Sequence, residues 1–160
     1  MEMFKSSLKP VIGVVIRDPE DVYNLFKPMG YFEIEHLFVI YLNADSQIIQ
    51  FAVPAVGTEY SVPVPMQEIL TQAVEYSAKA LIIIHNHPSY PEISMDPSDR
   101  DYTATQEFIA AAETMKIEVL DHIVISRDRY VSMRTEGRIA FNSVYPPRIH
   151  EGGKLCQKSV

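Results

Sequence analysis

The sequence predicts a mixed-sheet α/β domain, and three observations carry that prediction. Ala80-Leu81-Ile82-Ile83-Ile84 is an unbroken apolar run bounded by polar residues and a proline, the pattern of a strand buried on both faces. Two stretches flanking it, 66–77 and 98–115, repeat their apolar residues at helical spacing. Two further stretches, 33–53 and 119–133, read as pairs of strands joined by short polar turns. Hairpins and helices arranged around an isolated buried strand require a sheet with helices packed against it.

The elements follow in order. Lys9–Ile16 alternates weakly and is expected as an edge strand. Asp18-Pro19-Glu20 supplies an N-cap, a first-turn proline and an acid at the positive end of the helix dipole, so a short helix should run to about Pro28. Glu33–Leu42 is rich in β-branched and aromatic residues, Asn43-Ala44-Asp45-Ser46 offers turn chemistry, and Gln47–Val53 is the return strand. Prolines 54, 63 and 65 make the next stretch mostly loop. Met66, Ile69, Leu70, Ala73, Val74 and Ser77 share a helical face. After the buried strand, Pro88, Pro91 and Pro97 punctuate a polar loop leading into a helix from Ser98 to about Met115. Val119–Ser126 and Tyr130–Met133 form the last strand pair. The expected organisation is an N-terminal extension or edge strand over 1–17, one domain over 18–141, and a C-terminal tail over 142–160.

With 160 residues, 47% hydrophobic and 22% charged, the chain has enough apolar material for one core. A formal charge of -7 speaks against a generic nucleic-acid-coating surface, although Arg127, Arg129, Arg134 and Arg138 gather near the last hairpin. The single cysteine, Cys156, excludes an intramolecular disulfide framework and a multi-cysteine zinc site. The apolar runs are too short for a signal core or a membrane span. A cytoplasmic protein with no membrane partner is expected.

The chemistry concentrates after the buried strand. His85 and His87 are two residues apart, and in extended chain such side chains point the same way. Pro88 pushes His87 toward extended backbone, so two imidazoles can converge on one ion. The plainer alternative is a strand-end cap and a loop residue. Ser98-Asp99-Arg100-Asp101 opens the next helix, where Ser98 and Asp101 also make an ordinary N-terminal cap. Positions 101, 105, 108, 112 and 115 nevertheless form one stripe, ending in Phe108, Ala112 and Met115. Asp101 thus begins an inward face, where a carboxylate needs a partner. Glu33 and Glu35 share one face at the start of a strand whose two faces are both apolar further on, and parity alone does not choose between them. Two histidines and a carboxylate leave a tetrahedral zinc with an open position, which marks a catalytic site. A nearby carboxylate can take a proton from water and a serine hydroxyl can donate to an oxyanion, the ingredients of amide hydrolysis.

The stretches ALIIIHNHPS (80–89), PSDRD (97–101), LDHIVIS (120–126) and EHLFVIYLN (35–43) resemble the JAB/MPN metalloproteases with the JAMM motif, and within them the RadC-like bacterial proteins. The resemblance spans roughly Asp18 to Gly137. It implies one zinc ion per chain held by His85, His87 and Asp101, with Ser98 as oxyanion stabiliser and Glu35, rather than Glu33, as the base. It implies a curved mixed sheet flanked by helices, similar to cytidine deaminases, and a peptide or isopeptide-linked protein as substrate. The interval from His87 to Ser98 is longer than in RadC-like members, and Tyr90 replaces a usual glycine, which alters the rim of the site. The helix-hairpin-helix module that often accompanies RadC is not expected here, given how little sequence precedes the domain.

Rival readings separate by residue type. A deaminase lacks its His-x-Glu and cysteine pair here. The amidohydrolase or phosphoesterase type needs more histidine and aspartate ligands than His36, His122 and His150 supply, and mid-strand His122 reads as a satisfied core residue. A RadC-like DNA-repair or mobile-element accessory protein, acting by binding, is the alternative from another class.

Overall fold

A computed structural model describes Ser6, residues 11–141 and residues 143–146. Its strands are β1 (His36–Leu42), β2 (Ile48–Val56), β3 (Ala80–Asn86), β4 (Glu118–Ile125) and β5 (Tyr130–Ser132). The helices among the described residues are α1 (Pro19–Phe26), α2 (Met66–Glu75), α3 (Asp99–Thr114) and the single-turn α4 (Met133–Glu136). The five strands form one sheet in the order β2-β1-β3-β4-β5. Strand β1 is antiparallel to both β2 and β3, β3 is parallel to β4, and β5 returns antiparallel along β4. This is the mixed α/β architecture that the patterning predicts.

Both faces of the sheet are covered, because both alternating sets of its central strands are apolar. Leu37, Val39 and Tyr41 of β1 join Leu81 and Ile83 of β3 in a core closed by α2 and α3. Phe38, Ile40 and Leu42 join Ile82 and Ile84 on the opposite face, closed by Val22 and Phe26 of α1. Burial on both sides leaves β3 no polar side chain until His85. The first polar groups on the central strand therefore emerge at its carboxyl end, beside the N-terminus of α3.

Several boundaries differ from the sequence reading, each for a local reason. The expected edge strand over Lys9–Ile16 is reduced to one bridge, Val15 to Gln47, with turns at 11–13; Lys9 and Pro10 lie outside the described residues. Helix α1 stops at Phe26 because Pro28 has no amide to continue it, and a 3-10 turn over Lys27–Tyr31 follows. Strand β1 begins at His36 rather than Glu33. Strand β2 runs on through Pro54 to Val56, which an edge position permits because that residue needs no donor on its open side. Met133 starts α4 instead of ending β5, since the Ser132 hydroxyl oxygen accepts from the Thr135 amide at 3.1 Å and caps a new turn. On α3 the inward stripe holds at Thr105, Phe108 and Ala112, but Met115 sits at the C-cap and is 42% exposed. The tail with Cys156 and His150 lies outside the described residues. No helix among the described residues is long and apolar enough to cross a membrane.

The approach to β1 is held by a close backbone contact. The Gly57 amide donates to the Glu35 carbonyl at 2.8 Å, and the Glu35 amide donates to the Thr58 carbonyl at 2.7 Å. A Cβ on Gly57 would stand 2.0 Å from the Ser61 carbonyl oxygen, so the 57–62 turn closes only over a hydrogen. Gly57→Ala should lower stability by about 1–3 kcal/mol, the usual cost of overpacking, read as a lower urea midpoint at unchanged slope. An unchanged midpoint would mean that the turn yields without consequence.

Candidate metal centre

The continuation of β3 aims the two histidines. Leu81 and Ile83 point toward α3, and His85 inherits that direction by strand alternation. The His87 amide donates to the Ile125 carbonyl at 2.9 Å, so extended pairing with β4 persists one residue past the strand. His87 therefore stays on the His85 face. Asn86 points the other way and ties β3 to the start of β1: its Oδ1 accepts from the His36 amide at 2.8 Å and its Nδ2 donates to the Ile34 carbonyl at 3.1 Å. That tie and the Gly57 contact carry Glu35 to the same side as the histidines. Glu35 is 3% exposed, whereas Glu33 is exposed to solvent.

Helix α3 brings the second carboxylate. Ser98 caps it with a full capping box: the Asp101 amide donates to Ser98 Oγ at 3.1 Å, and the Ser98 amide donates to Asp101 Oδ2 at 2.7 Å. The Ser98 hydroxyl also donates to Asp101 Oδ2, at 2.6 Å. Thus the cap and the inward carboxylate, alternatives in the sequence, coexist. Asp101 stands 3.6 Å from His85 Nε2 and 3.6 Å from His87 Nε2.

The two Nε2 atoms are 3.0 Å apart, and Glu35 Oε1 is 3.8 Å from His87 Nε2. Glu35, His85 and His87 each offer a ligand atom within 4.8 Å of the others and together could hold a metal ion. The spacing supports a small cation. Ligand atoms about 2.0–2.1 Å from a tetrahedral ion lie roughly 3.3 Å from one another, and the separations among His85, His87 and Asp101 bracket that figure. The donor set, imidazole nitrogen with carboxylate oxygen, fits a borderline divalent ion. The group lines a cleft of about 520 Å³ together with Tyr60, Val62, Val64, Ile93, Ser94 and Asp96.

Electrostatics separate the two carboxylates. Burial pushes the Glu35 carboxyl up to about 7, only partly offset by the positive field of His87. Burial also acts on Asp101, but the adjacent His87 and His85 imidazoles and the hydrogen bonds from Ser98 overcome it and hold Asp101 well below the ordinary range. Burial drives His85 well below its usual value, assisted by neighbouring His122. For His87 burial is outweighed by the neighbouring Asp101 carboxylate and the Glu35 charge, so its affinity for a proton rises. The two imidazoles therefore stand beside one carboxylate that stays ionised and one inclined to keep its proton.

Sequence reasoning overlooked the supporting groups. His87 Nδ1 donates to the Ser94 carbonyl at 2.8 Å, which fixes that ring and draws the 88–97 loop over the site. His122 is a satisfied core residue, as its mid-strand position predicts, yet it touches His85: its Nε2 is 2.7 Å from His85 Nδ1. Thr105 Oγ1 lies 2.6 Å from His122 Nδ1. The arginines near the last hairpin have partners among the described residues. Arg129 pairs with Asp96, Arg138 pairs with Asp99 at 2.7 Å, and Arg134 Nε donates to the Leu120 carbonyl at 2.6 Å.

Comparison with known proteins agrees with this geometry. The model of the RadC-like JAB domain family matches residues 16–138. A UPF0758 protein of Desulforudis audaxviator is 37% identical over 123 residues, covering 76% of this chain and 52% of its own length. One from Chloroflexus aggregans is 35% identical over the same shares, and one from Desulfitobacterium hafniense is 31% identical over 132 residues, 82% and 57% of the two lengths. The chain spans about half the length of the curated relatives it matches.

Burial of Glu35 has a consequence for stability. In metal-free protein the folded state keeps this proton to about pH 7, whereas the unfolded chain releases it near 4.5. The folded state binds the proton more tightly, so Glu35 subtracts stability as pH rises through that window. In chelator-treated protein, Glu35→Gln should raise the thermal midpoint at pH 8 and confer no advantage below pH 4.5. Calorimetry at both pH values checks this, and an equal shift at both would remove ionisation as the cause.

Proposed function

The chain belongs to the RadC-like JAB domain family, and on that footing we propose that it is a zinc-dependent hydrolase of the metalloprotease or isopeptidase type, cleaving an amide bond. The observation that carries this reading is the meeting of two imidazole nitrogens at 3.0 Å between two carboxylates of opposite proton affinity, in a cleft. His85, His87 and Asp101 are the ligands. Zinc in such a site lowers the pKa of a bound water toward ~7 and polarises a carbonyl.

The remaining steps belong to the chain's own side chains. Glu35, raised to about 7, is balanced between taking a proton from water and returning it to the leaving nitrogen near neutral pH. It stands immediately before β1, whereas Asp101 belongs to the first turn of α3, so the two acids reach the imidazoles from different elements. Ser98 holds Asp101 through its hydroxyl; we assign it to the oxyanion once that hydroxyl turns from Asp101 into the cleft. A peptide or isopeptide-linked protein segment is the substrate class. Residues of the 60–64 and 92–98 segments line the same cleft, which leaves room for a peptide segment beside the histidines.

Metal content by elemental mass spectrometry tests the reading. Wild type should carry about one zinc per chain, and Asp101→Ala should lose most of it. Glu35→Gln should keep the zinc while losing roughly 10²–10⁴-fold in hydrolysis of a quenched peptide library. The converse pattern would exchange the roles of the two carboxylates. Folded wild type that takes up no zinc after reconstitution would overturn the hydrolase reading.

A further inference from the structure

Behind His85 runs a line of short hydrogen bonds whose directions can be worked out from one end. The Asp101 carbonyl oxygen, 2.7 Å from Thr105 Oγ1, can only accept, so the single hydroxyl proton of Thr105 is directed there. Met133 Sδ, at 3.5 Å, is the weaker and more distant acceptor for the same proton. The oxygen of Thr105 is then an acceptor toward His122 Nδ1, at 2.6 Å, and that nitrogen must carry a hydrogen. A neutral ring protonated at Nδ1 has its lone pair at Nε2. His85 Nδ1, 2.7 Å from that lone pair, must therefore donate to it. The same reasoning leaves His85 Nε2 bare, facing His87 Nε2 and the Asp101 carboxylate.

We propose that Thr105 and His122 are positioning residues that lock His85 in its Nδ1–H tautomer, presenting the Nε2 lone pair to the cleft before any ligand arrives. The tautomer is a property of the folded chain; its use in holding zinc rests on the hydrolase reading above. Asp101 serves from both ends. Its carboxylate faces the metal position, and its main-chain oxygen starts the chain of donors that orients His85. One helical turn thus couples a ligand to the tautomer of another. His122 and Thr105 are each about 1% exposed, so no water competes for these bonds.

Two measurements decide it. Long-range proton–nitrogen correlation spectra of metal-free wild type should show His85 and His122 both with hydrogen on Nδ1. Hydrogen on His85 Nε2 would overturn the proposal. Zinc affinity, by competition with a chromophoric chelator, should fall roughly 10–100-fold in Thr105→Val, which keeps shape but removes the hydroxyl, and return close to wild type in Thr105→Ser. His122→Gln, which retains an acceptor near Nε2, should bind zinc more tightly than His122→Leu. Equal affinity of Thr105→Val and wild type, with the valine variant folded, would also overturn it. If wild type binds no zinc, the hydrolase reading fails while the spectrum still decides the tautomer.

Discussion

Everything in the site depends on β3 being buried on both faces and then running out of apolar residues at His85. A central strand with Leu81 to Ile84 sealed from water cannot host a polar group without a partner, because an unpaired buried donor or acceptor costs on the order of 1–3 kcal/mol. His85, Asn86 and His87 are all nearly inaccessible, so each has to be satisfied by protein. Asn86 is satisfied by the backbone leading into β1, and in doing so delivers Glu35. His87 is satisfied by the Ser94 carbonyl, and in doing so fixes the 88–97 loop. His85 is satisfied by His122. The polar requirement of one strand end thus recruits a strand, a loop and a neighbouring side chain into a common site.

Helix α3 answers a second requirement with the same residues. Its N-terminal amides need acceptors, and Ser98 with Asp101 provides the capping box. The inward stripe of Thr105, Phe108 and Ala112 presses the helix onto the sheet, which leaves Asp101 at the mouth of the cleft instead of in solvent. The cap leaves Asp101 able to face the histidines because a carboxylate has two oxygens. Oδ2 accepts from Ser98, while Oδ1 is 3.6 Å from His85 Nε2.

How much of this was legible follows from sequence distance. His85, His87 and the Ser98–Asp101 cap lie within seventeen residues and could be placed by strand parity and helical spacing alone. Glu35 lies fifty residues before His85, and residue parity could not separate it from Glu33; its selection required a resemblance, and in the structure it rests on the Asn86 tie and the close Gly57 turn. His122 was out of reach for a sharper reason. Its contact with His85 depends on the parallel register of β3 and β4, and that register slips between Leu81 and Ile82. No local pattern announces a shift of that kind. The strand ends at His36, Val56 and Ser132 were missed because caps and edge pairing, not residue propensity, decide them. Two of the arginines near the last hairpin, Arg129 and Arg138, form exposed ion pairs with Asp96 and Asp99, in keeping with a solvated face.

Two carboxylates flank the same pair of imidazoles, and their surroundings drive them apart. Asp101 accepts two hydrogen bonds from Ser98, lies 3.6 Å from His87 Nε2, and stays ionised far below neutrality. Glu35 sits among apolar walls with one backbone donor, the Val62 amide, and is pushed up to about 7. A pair of acids so separated is the usual sign of divided labour, since a permanent anion suits a ligand and a group near neutrality suits proton transfer. Exchanging their roles would require Glu35 to shed its proton in the drier environment while the better-solvated, hydrogen-bonded acid handled protons. That arrangement works against the desolvation of one carboxylate and the hydrogen bonds of the other. The difference in proton affinity therefore follows from where the two acids stand: Glu35 buried just before β1 beside the Val62 amide, Asp101 at a helix cap with Ser98.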